Sequence, residues 1–336
     1  PERDFATPEP GCPSPPPSTR SEDLHRAGDR TEPTSRQWGF DCLGCTEPSV
    51  RRSPRPRARN GSWLLLSSAH ILMHDPPLDQ PRVWLLAGTG DGPRLTRALL
   101  QRHCRVRVSV VTPAAAEAYR GLAVESMAIG ALGGVEGIAE ELKRQATLRW
   151  VVDATHPFAT KISHDLAEVC FAARQPLLRF ERPWEEGHAA THLLENGADL
   201  STMALSGQRL LLAVGGRHLA AIADSARLAG GDLFARAMPT RLGLRSALAA
   251  GLPPDHLAVV RPLEGATPGQ LERALCRRWG ITAVVCRQSG GMTERLWRRI
   301  AEEQSLTLLL LRRPPSPSGV DTVVGEAAFL KRIDHG

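Results

Sequence analysis

Aromatic side chains make up only 4% of this 336-residue chain, and tyrosine occurs once, at Tyr119. Few rings are therefore available to stack on bases. No dense Lys/Arg run is present and the net charge of +6 is spread along the chain, so nucleic-acid binding is not expected. Position 123 is Ala, so Tyr119 lacks the lysine of a Tyr-x-x-x-Lys pair, which excludes short-chain dehydrogenase chemistry. HExxH and GxSxG are absent too, and with them the zincin and α/β-hydrolase mechanisms. No apolar run reaches the roughly 18 residues of a transmembrane helix, so no membrane partner is expected. The seven cysteines, an odd number scattered through a long chain, read as reduced thiols in a cytoplasm. Cys42 and Cys45 have CxxC spacing without a second pair nearby, and His188 and His192 have no third ligand, so no metal site is expected.

What the chain does hold begins late. Residues 1–72 carry 11 of the 27 prolines, no methionine and no hydrophobic period. They read as a disordered leader, or as upstream sequence joined to the protein by a wrong start. From residue 82 the pattern is strand, turn, helix, repeated. VWLLAG (83–88), VRVSVV (106–111) and LRWVVDA (148–154) are buried-strand runs, each followed by a segment of helical period. A second cycle starts at RLLLAVGG (209–216) and closes at LTLLLLRRP (306–314). Such alternation predicts α/β architecture: two consecutive Rossmann-like units with parallel sheets and a cleft between them. The expected domains are 73–200 and 201–314, followed by a Pro/Ser-rich tail, 315–336, with a short helix.

Chemistry gathers where strands end. The first strand runs into Gly88-Thr89-Gly90-Asp91-Gly92 and then Pro93, a glycine turn before a helix. That arrangement points backbone N–H groups and a helix dipole at a phosphate. Pro93 suits the first helical position, with Gly92 as cap. The turn is not the full GxGxxG pattern, and a turn that binds nothing is the competing reading. An NAD site carries an acid about 20 residues further on for the ribose hydroxyl. Here the second strand ends in Val111 and Thr112, with Arg120 nearby, which suits a 2′-phosphate and so NADPH; a plain helix cap at Thr112 is the alternative.

The central strand Trp150–Val152 runs into Asp153, Thr155 and His156, with Pro157 placed to open a helix. Histidine caps helices poorly, so starting a helix does not account for His156. The three polar residues fall at the carboxyl edge where open α/β sheets bind ligands, facing the same crevice as the glycine turn. They are the candidate catalytic residues; a hydrogen-bonded turn is the bland alternative. Arg179 and Arg182, Arg217, and Arg287 with Ser289 and Gly290 lie at further strand ends. One exposed arginine contributes little, so several acting together in a cleft imply a ligand with many carboxylates.

GTGDG at 88–92, DATHPFA at 153–159, RFERPW at 179–184, ARAMP at 235–239, QSGG at 288–291 and RRP at 312–314 occur in an order and spacing that resembles the precorrin-6A reductase family. The resemblance covers about residues 82–314. It implies two Rossmann-like domains, and NADPH-dependent reduction of a C=C bond in a polycarboxylated tetrapyrrole, precorrin-6A or its cobalt form, giving precorrin-6B in cobalamin biosynthesis. Where that family has Lys-Asp before the late Ser-Gly, this chain has Arg287-Gln288. On this reading Gly88, Thr89, Gly90, Asp91, Gly92 and Thr112 bind NADPH. Asp153, Thr155 and His156 line the reaction centre, His156 as candidate proton donor. Arg179, Arg182, Arg217, Arg287, Ser289 and Gly290 take the substrate. A monomer is expected. Another NADP-dependent reductase of a small acid, or a non-catalytic nucleotide or tetrapyrrole sensor, fits the same residues.

Overall fold

Strands of alternating Val and Leu with branched or aromatic neighbours pair only in parallel among the described residues, and they form two six-stranded sheets. The computed structural model describes residues 80–145, 147–261 and 267–335, all within the unit Ile71–Gly336. The leader, its CxxC pair and the apolar segment 63–73 lie outside the described residues.

The first sheet is built from β1 (Arg82–Ala87), α1 (Asp91–Leu100), β2 (Arg105–Val110), α2 (Pro113–Ala116), β3 (Ser126–Ile129) and α3 (Gly134–Lys143). It continues with β4 (Trp150–Ala154), α4 (Thr160–Ala172) and β5 (Leu177–Glu181). The chain then crosses to the second sheet: β6 (Thr191–Leu194), β7 (Arg209–Leu212), α5 (Gly216–Leu228), β8 (Asp232–Ala237) and α6 (Arg241–Ala249). It ends there with β9 (Leu257–Val259), α7 (Gln270–Arg278), β10 (Ala283–Arg287), α8 (Met292–Gln304) and β11 (Thr307–Leu311). Finally β12 (Asp321–Val324) and α9 (Gly325–His335) return to the first sheet.

The strand orders are β12-β5-β4-β1-β2-β3 and β6-β11-β10-β7-β8-β9. Both are doubly wound, with the order reversing between β1 and β4 in one sheet and between β7 and β10 in the other. Ligand crevices open at such reversal points, outside the carboxyl ends of the strands. The alternation of side chains decides which face each residue joins. On β1, Val83, Leu85 and Ala87 meet Leu95 and Leu99 of α1 and Phe329 of α9. Trp84 and Leu86 point the other way, to Ile138 of α3 and Leu166 and Cys170 of α4. The second sheet is covered likewise by α5 and α6 on one face and by α7 and α8 on the other.

Three expectations are corrected here. The division into 73–200, 201–314 and a tail gives way to a chain that crosses twice. β6, before residue 200, belongs to the second sheet, and β12, in the expected tail, hydrogen-bonds beside β5 as the sixth strand of the first. Each sheet thereby gains an edge strand that its own βα run does not supply. The helix starts shift as well: α1 begins at Asp91 with Gly90 as cap, not at Pro93. α4 begins at Thr160 with Ala159 as cap, because residues 155–159 form a turn closed by the Ala159 N–H donating to the His156 carbonyl at 2.7 Å. Pro157 marks that turn and not the helix.

Candidate functional site

β1 and β4 are hydrogen-bonded neighbours, with Leu86 opposite Asp153 and Ala87 opposite Ala154. The glycine turn and the Asp-Thr-His corner therefore leave the first sheet side by side at its reversal point. In the glycine turn, Gly88 and Gly90 are exposed, and a Cβ added to either would meet nothing within 4 Å. No side chain of Gly90 caps α1; the Asp91 N–H donates to Thr89 Oγ1 at 3.4 Å, the Gly92 N–H to the Thr89 carbonyl at 3.2 Å, and Pro93 has no N–H. Gly92 has a different task. A Cβ there would lie 1.9 Å from the Tyr119 hydroxyl and 2.7 Å from the Ala87 Cβ, so glycine is what lets α1 pack onto β1. The turn is thus open to solvent at Gly88 and Gly90, where a ligand approaching the backbone meets no side chain. Thr112 is exposed, and its hydroxyl accepts from the Ala115 N–H at 3.2 Å, so it caps α2. Arg120 pairs with Glu117 on the surface. Asp91 is half-buried. Its carboxylate accepts from Thr89 Oγ1 at 3.0 Å and from Arg182 Nε.

Period-2 alternation also explains the Asp153 corner. Val152 and Ala154 face α1 and α9, so Asp153 must face α4. On β5, Leu178 and Phe180 face α1 and α9, so Arg179 faces α4 as well. Asp153 and Arg179 are register partners across β4 and β5, and their side chains meet with Arg179 Nη1 2.7 Å from Asp153 Oδ2. Both are buried, at 1% and 2% exposure. Asp153 Oδ1 accepts from the Thr155 N–H at 3.0 Å and from Thr155 Oγ1 at 2.7 Å. Arg179 Nη1 also lies 3.1 Å from Thr155 Oγ1 and 3.1 Å from Ser163 Oγ of α4.

This network ties Arg179, Asp153 and Thr155 to one another at the carboxyl end of β4, while the buried Arg179 Nε has no hydrogen-bond partner among the described residues. One guanidinium nitrogen of Arg179 is shared among three oxygens, and the side chain has almost no exposed surface. Arg182 is committed too, to Asp91 and to the carbonyls of Gly290 at 3.1 Å and Ser289 at 3.4 Å. Ser289 and Gly290 form a buried turn in which the Gly290 N–H donates to Glu294 at 2.7 Å and the next amide, of Gly291, donates to Glu185 at 2.9 Å. Protein carboxylates thus occupy the amides of Gly290 and Gly291.

Arg287 and Arg217 remain. Arg287 ends β10 at the second reversal point, half-buried, and makes no hydrogen bond or ion pair among the described residues. Its guanidinium stacks over the Phe158 ring, 5.2 Å from the centroid. Burial, and then Arg217, Arg182 and Arg236, push it below the usual guanidinium range. Arg217 lies in the first turn of α5, after Gly215 at φ +82°, and likewise has no acidic partner among the described residues. Phe158, from the first sheet's corner, packs against the core of the second. The two reversal points therefore meet, with a cationic patch beside the seam.

His156 sits in that seam. Its Nδ1 accepts the Phe158 N–H at 3.1 Å. Burial, then Arg287, Arg182, Arg179 and Arg313, push its pKa down to about 3. Sequence reasoning missed Arg313, 5% exposed, which donates to Glu181 at 3.2 Å and the Arg182 carbonyl at 2.7 Å and stacks on Trp184 at 4.1 Å. It bolts the end of β11 to the crossover after β5. The available signal was a pair of arginines, Arg312 and Arg313, straight after the apolar strand Thr307–Leu311.

Residues 82–331 match the family model described as Precorrin-6x reductase CbiJ/CobK. The chain is 32% identical over 248 residues to the cobalt-precorrin-6A reductase of Synechocystis sp., covering 70% of this chain and 90% of that protein. It is 31% identical over 243 residues to the precorrin-6A reductase of Mycobacterium tuberculosis, covering 72% and 93%. Among solved structures, a CobK precorrin-6A reductase shares the fold with a TM-score of 0.59 at 24% identity, covering 76% of this chain and 98% of that one. The paired doubly wound sheets and their strand-end residues thus belong to a member of the precorrin-6x reductase CbiJ/CobK family, oxidoreductases that act on a CH–CH bond in cobalamin biosynthesis.

Proposed function

We propose that this chain reduces a C=C bond of the precorrin-6A macrocycle, or of its cobalt form, with NADPH as reductant. The observation that carries the reading is Arg287: a half-buried cation without a carboxylate partner among the described residues, laid on Phe158 where the two reversal points meet. An unpaired buried charge is costly unless a ligand neutralises it. A macrocycle with many acid side chains supplies such charge, and Arg217 extends the patch. Gly88, Thr89 and Gly90, at the N-terminal end of α1, would hold the pyrophosphate, and Thr112 would lie at the 2′-phosphate end. When bound, the dihydronicotinamide supplies the hydride. Asp153, Thr155, Arg179 and Ser163 keep the β4 corner rigid, and Phe158 keeps it against the second sheet. Among the described residues the free cysteines Cys104, Cys170, Cys276 and Cys286 are all buried, which supports a reducing, cytoplasmic setting.

The test follows NADPH absorbance on addition of precorrin-6A or its cobalt form. Turnover with either is expected, with the KM for the macrocycle raised about tenfold or more in Arg287→Met. Tight macrocycle binding without NADPH oxidation, or turnover of an unrelated small acid alone, would overturn the reading.

A further inference from the structure

His156 lies in the seam between the sheets, and its two ring nitrogens are not equivalent. Nδ1 accepts a backbone N–H from Phe158 at 3.1 Å, two residues on in the same turn. The turn is closed again by the Ala159 N–H on the His156 carbonyl at 2.7 Å. An accepting Nδ1 carries no proton, so the neutral ring must carry its hydrogen on Nε2. Placing a second proton on Nδ1 would set two N–H groups against each other and open the turn that seats Phe158 in the second core.

The surroundings oppose that second proton too. Arg179 from β5, Arg182 from the crossover after it, Arg287 from the end of β10 and Arg313 after β11 all bear on the ring. The acids of these elements are already engaged by arginine: Asp153 by Arg179, Asp91 by Arg182 and Glu181 by Arg313. On the second sheet's side, Arg217 and His218 open α5; Arg217 bears on Arg287, and both arginines bear on His218. We infer that His156 serves the reduction as a hydrogen-bond donor of fixed tautomer, its Nε2–H held for a carboxylate oxygen of the bound substrate, and that it does not supply the proton. This rests on the reading of the site as an NADPH-dependent reductase. One carbon of the C=C bond gains the hydride with its two electrons, leaving an oxidised nicotinamide. The other carbon takes a proton from solvent water, and the hydroxide left behind is neutralised by buffer. His156 thus binds and orients the substrate, and does so over the whole neutral range without changing charge.

The test has two arms. In the first, the full chain is labelled with ¹⁵N-histidine, and its ring nitrogens are followed by NMR from pH 8 to 5, with and without NADP⁺; His156→Gln assigns the signal. His156 should keep the pattern of the Nε2–H tautomer across the range, while exposed histidines titrate. Conversion to imidazolium above pH 6, in either state, overturns the inference, whether or not the protein turns over any macrocycle. In the second arm, kcat and kcat/KM are measured against pH. His156→Phe, which has no donor, should lose about 10–100-fold in kcat/KM. His156→Gln, which keeps a side-chain N–H, should lose less, and the shape of its pH profile should match the parent. Loss of a general acid would instead cost about 10²–10⁴-fold in kcat in both variants alike. That result, or an apparent pKa near that of free histidine in the parent that His156→Gln lacks, would assign the proton to His156. A failure of all turnover would sink the proposed function and leave the NMR arm to decide the tautomer.

Discussion

Replacing Arg179 with methionine should show most sharply that the Asp153 corner is a structural joint. The change removes the partner 2.7 Å from Asp153 Oδ2 and leaves a carboxylate that is 1% exposed with only the amide and hydroxyl of Thr155. Breaking one side of a buried ion pair costs about 3–5 kcal/mol. For a folded region of this size, each kcal/mol shifts Tm by roughly 2–4 °C, so a fall of roughly 6–20 °C is expected. Circular dichroism at fixed scan rate measures it. The same substitution made on an Asp153→Leu background should cost much less, because the stranded charge has gone; the difference between the two backgrounds isolates the pair. If Arg179→Met instead leaves Tm within about 2 °C and raises only the KM for the macrocycle, the guanidinium faces the ligand and the structural role given to the buried pair of β4 and β5 is wrong.

Gly92→Ala should lower both stability and NADPH affinity, since its Cβ would meet the Tyr119 hydroxyl at 1.9 Å and the Ala87 Cβ at 2.7 Å; Tyr119→Ala in the same chain should recover only part of the loss, as read by thermal unfolding and NADPH titration. Arg313→Lys keeps the charge but loses the fork that spans Glu181 and the Arg182 carbonyl, and should cost about 2–4 kcal/mol, with faster amide exchange through 182–185 by mass spectrometry. Acidification should destabilise the protein through His156: with its folded pKa near 3 against 6.5 for the free ring, the unfolded chain binds a proton that the folded one refuses. Stability is whole above pH 6.5 and falls as pH drops below it, by about 2 kcal/mol at pH 5, where most carboxylates are still ionised. His156→Gln should flatten that slope in denaturant titrations.

The α/β class and the strand ends were legible because each buried strand is a short apolar run closed by glycine or a polar cluster. Leu86 and Asp153 do lie side by side, as the shared crevice required. Which arginines meet a ligand was not legible. Arg179 and Arg287 both follow apolar strand residues, yet one has an acid opposite it in register and the other does not, and register is set by the sheet as a whole. Helix starts were misplaced by the same residue types that normally mark them. Pro157 sits in a turn that closes just before α4, and Gly92 is needed inside α1 for contact with Tyr119. β12 was hidden because its four residues, DTVV, follow a Pro/Ser-rich stretch and make a strand only by borrowing the edge of β5.

That borrowed edge has a bearing on biosynthesis. During translation, β5 leaves the ribosome well before Asp321–Val324, and a second sheet must be made in between. Throughout that interval Phe180 lacks its edge-on partner Phe329, and a row of backbone amides and carbonyls stands open to any passing strand. A nascent chain stalled before Asp321 is thus sticky along one side, and the segment from there to His335 works as a seal applied late.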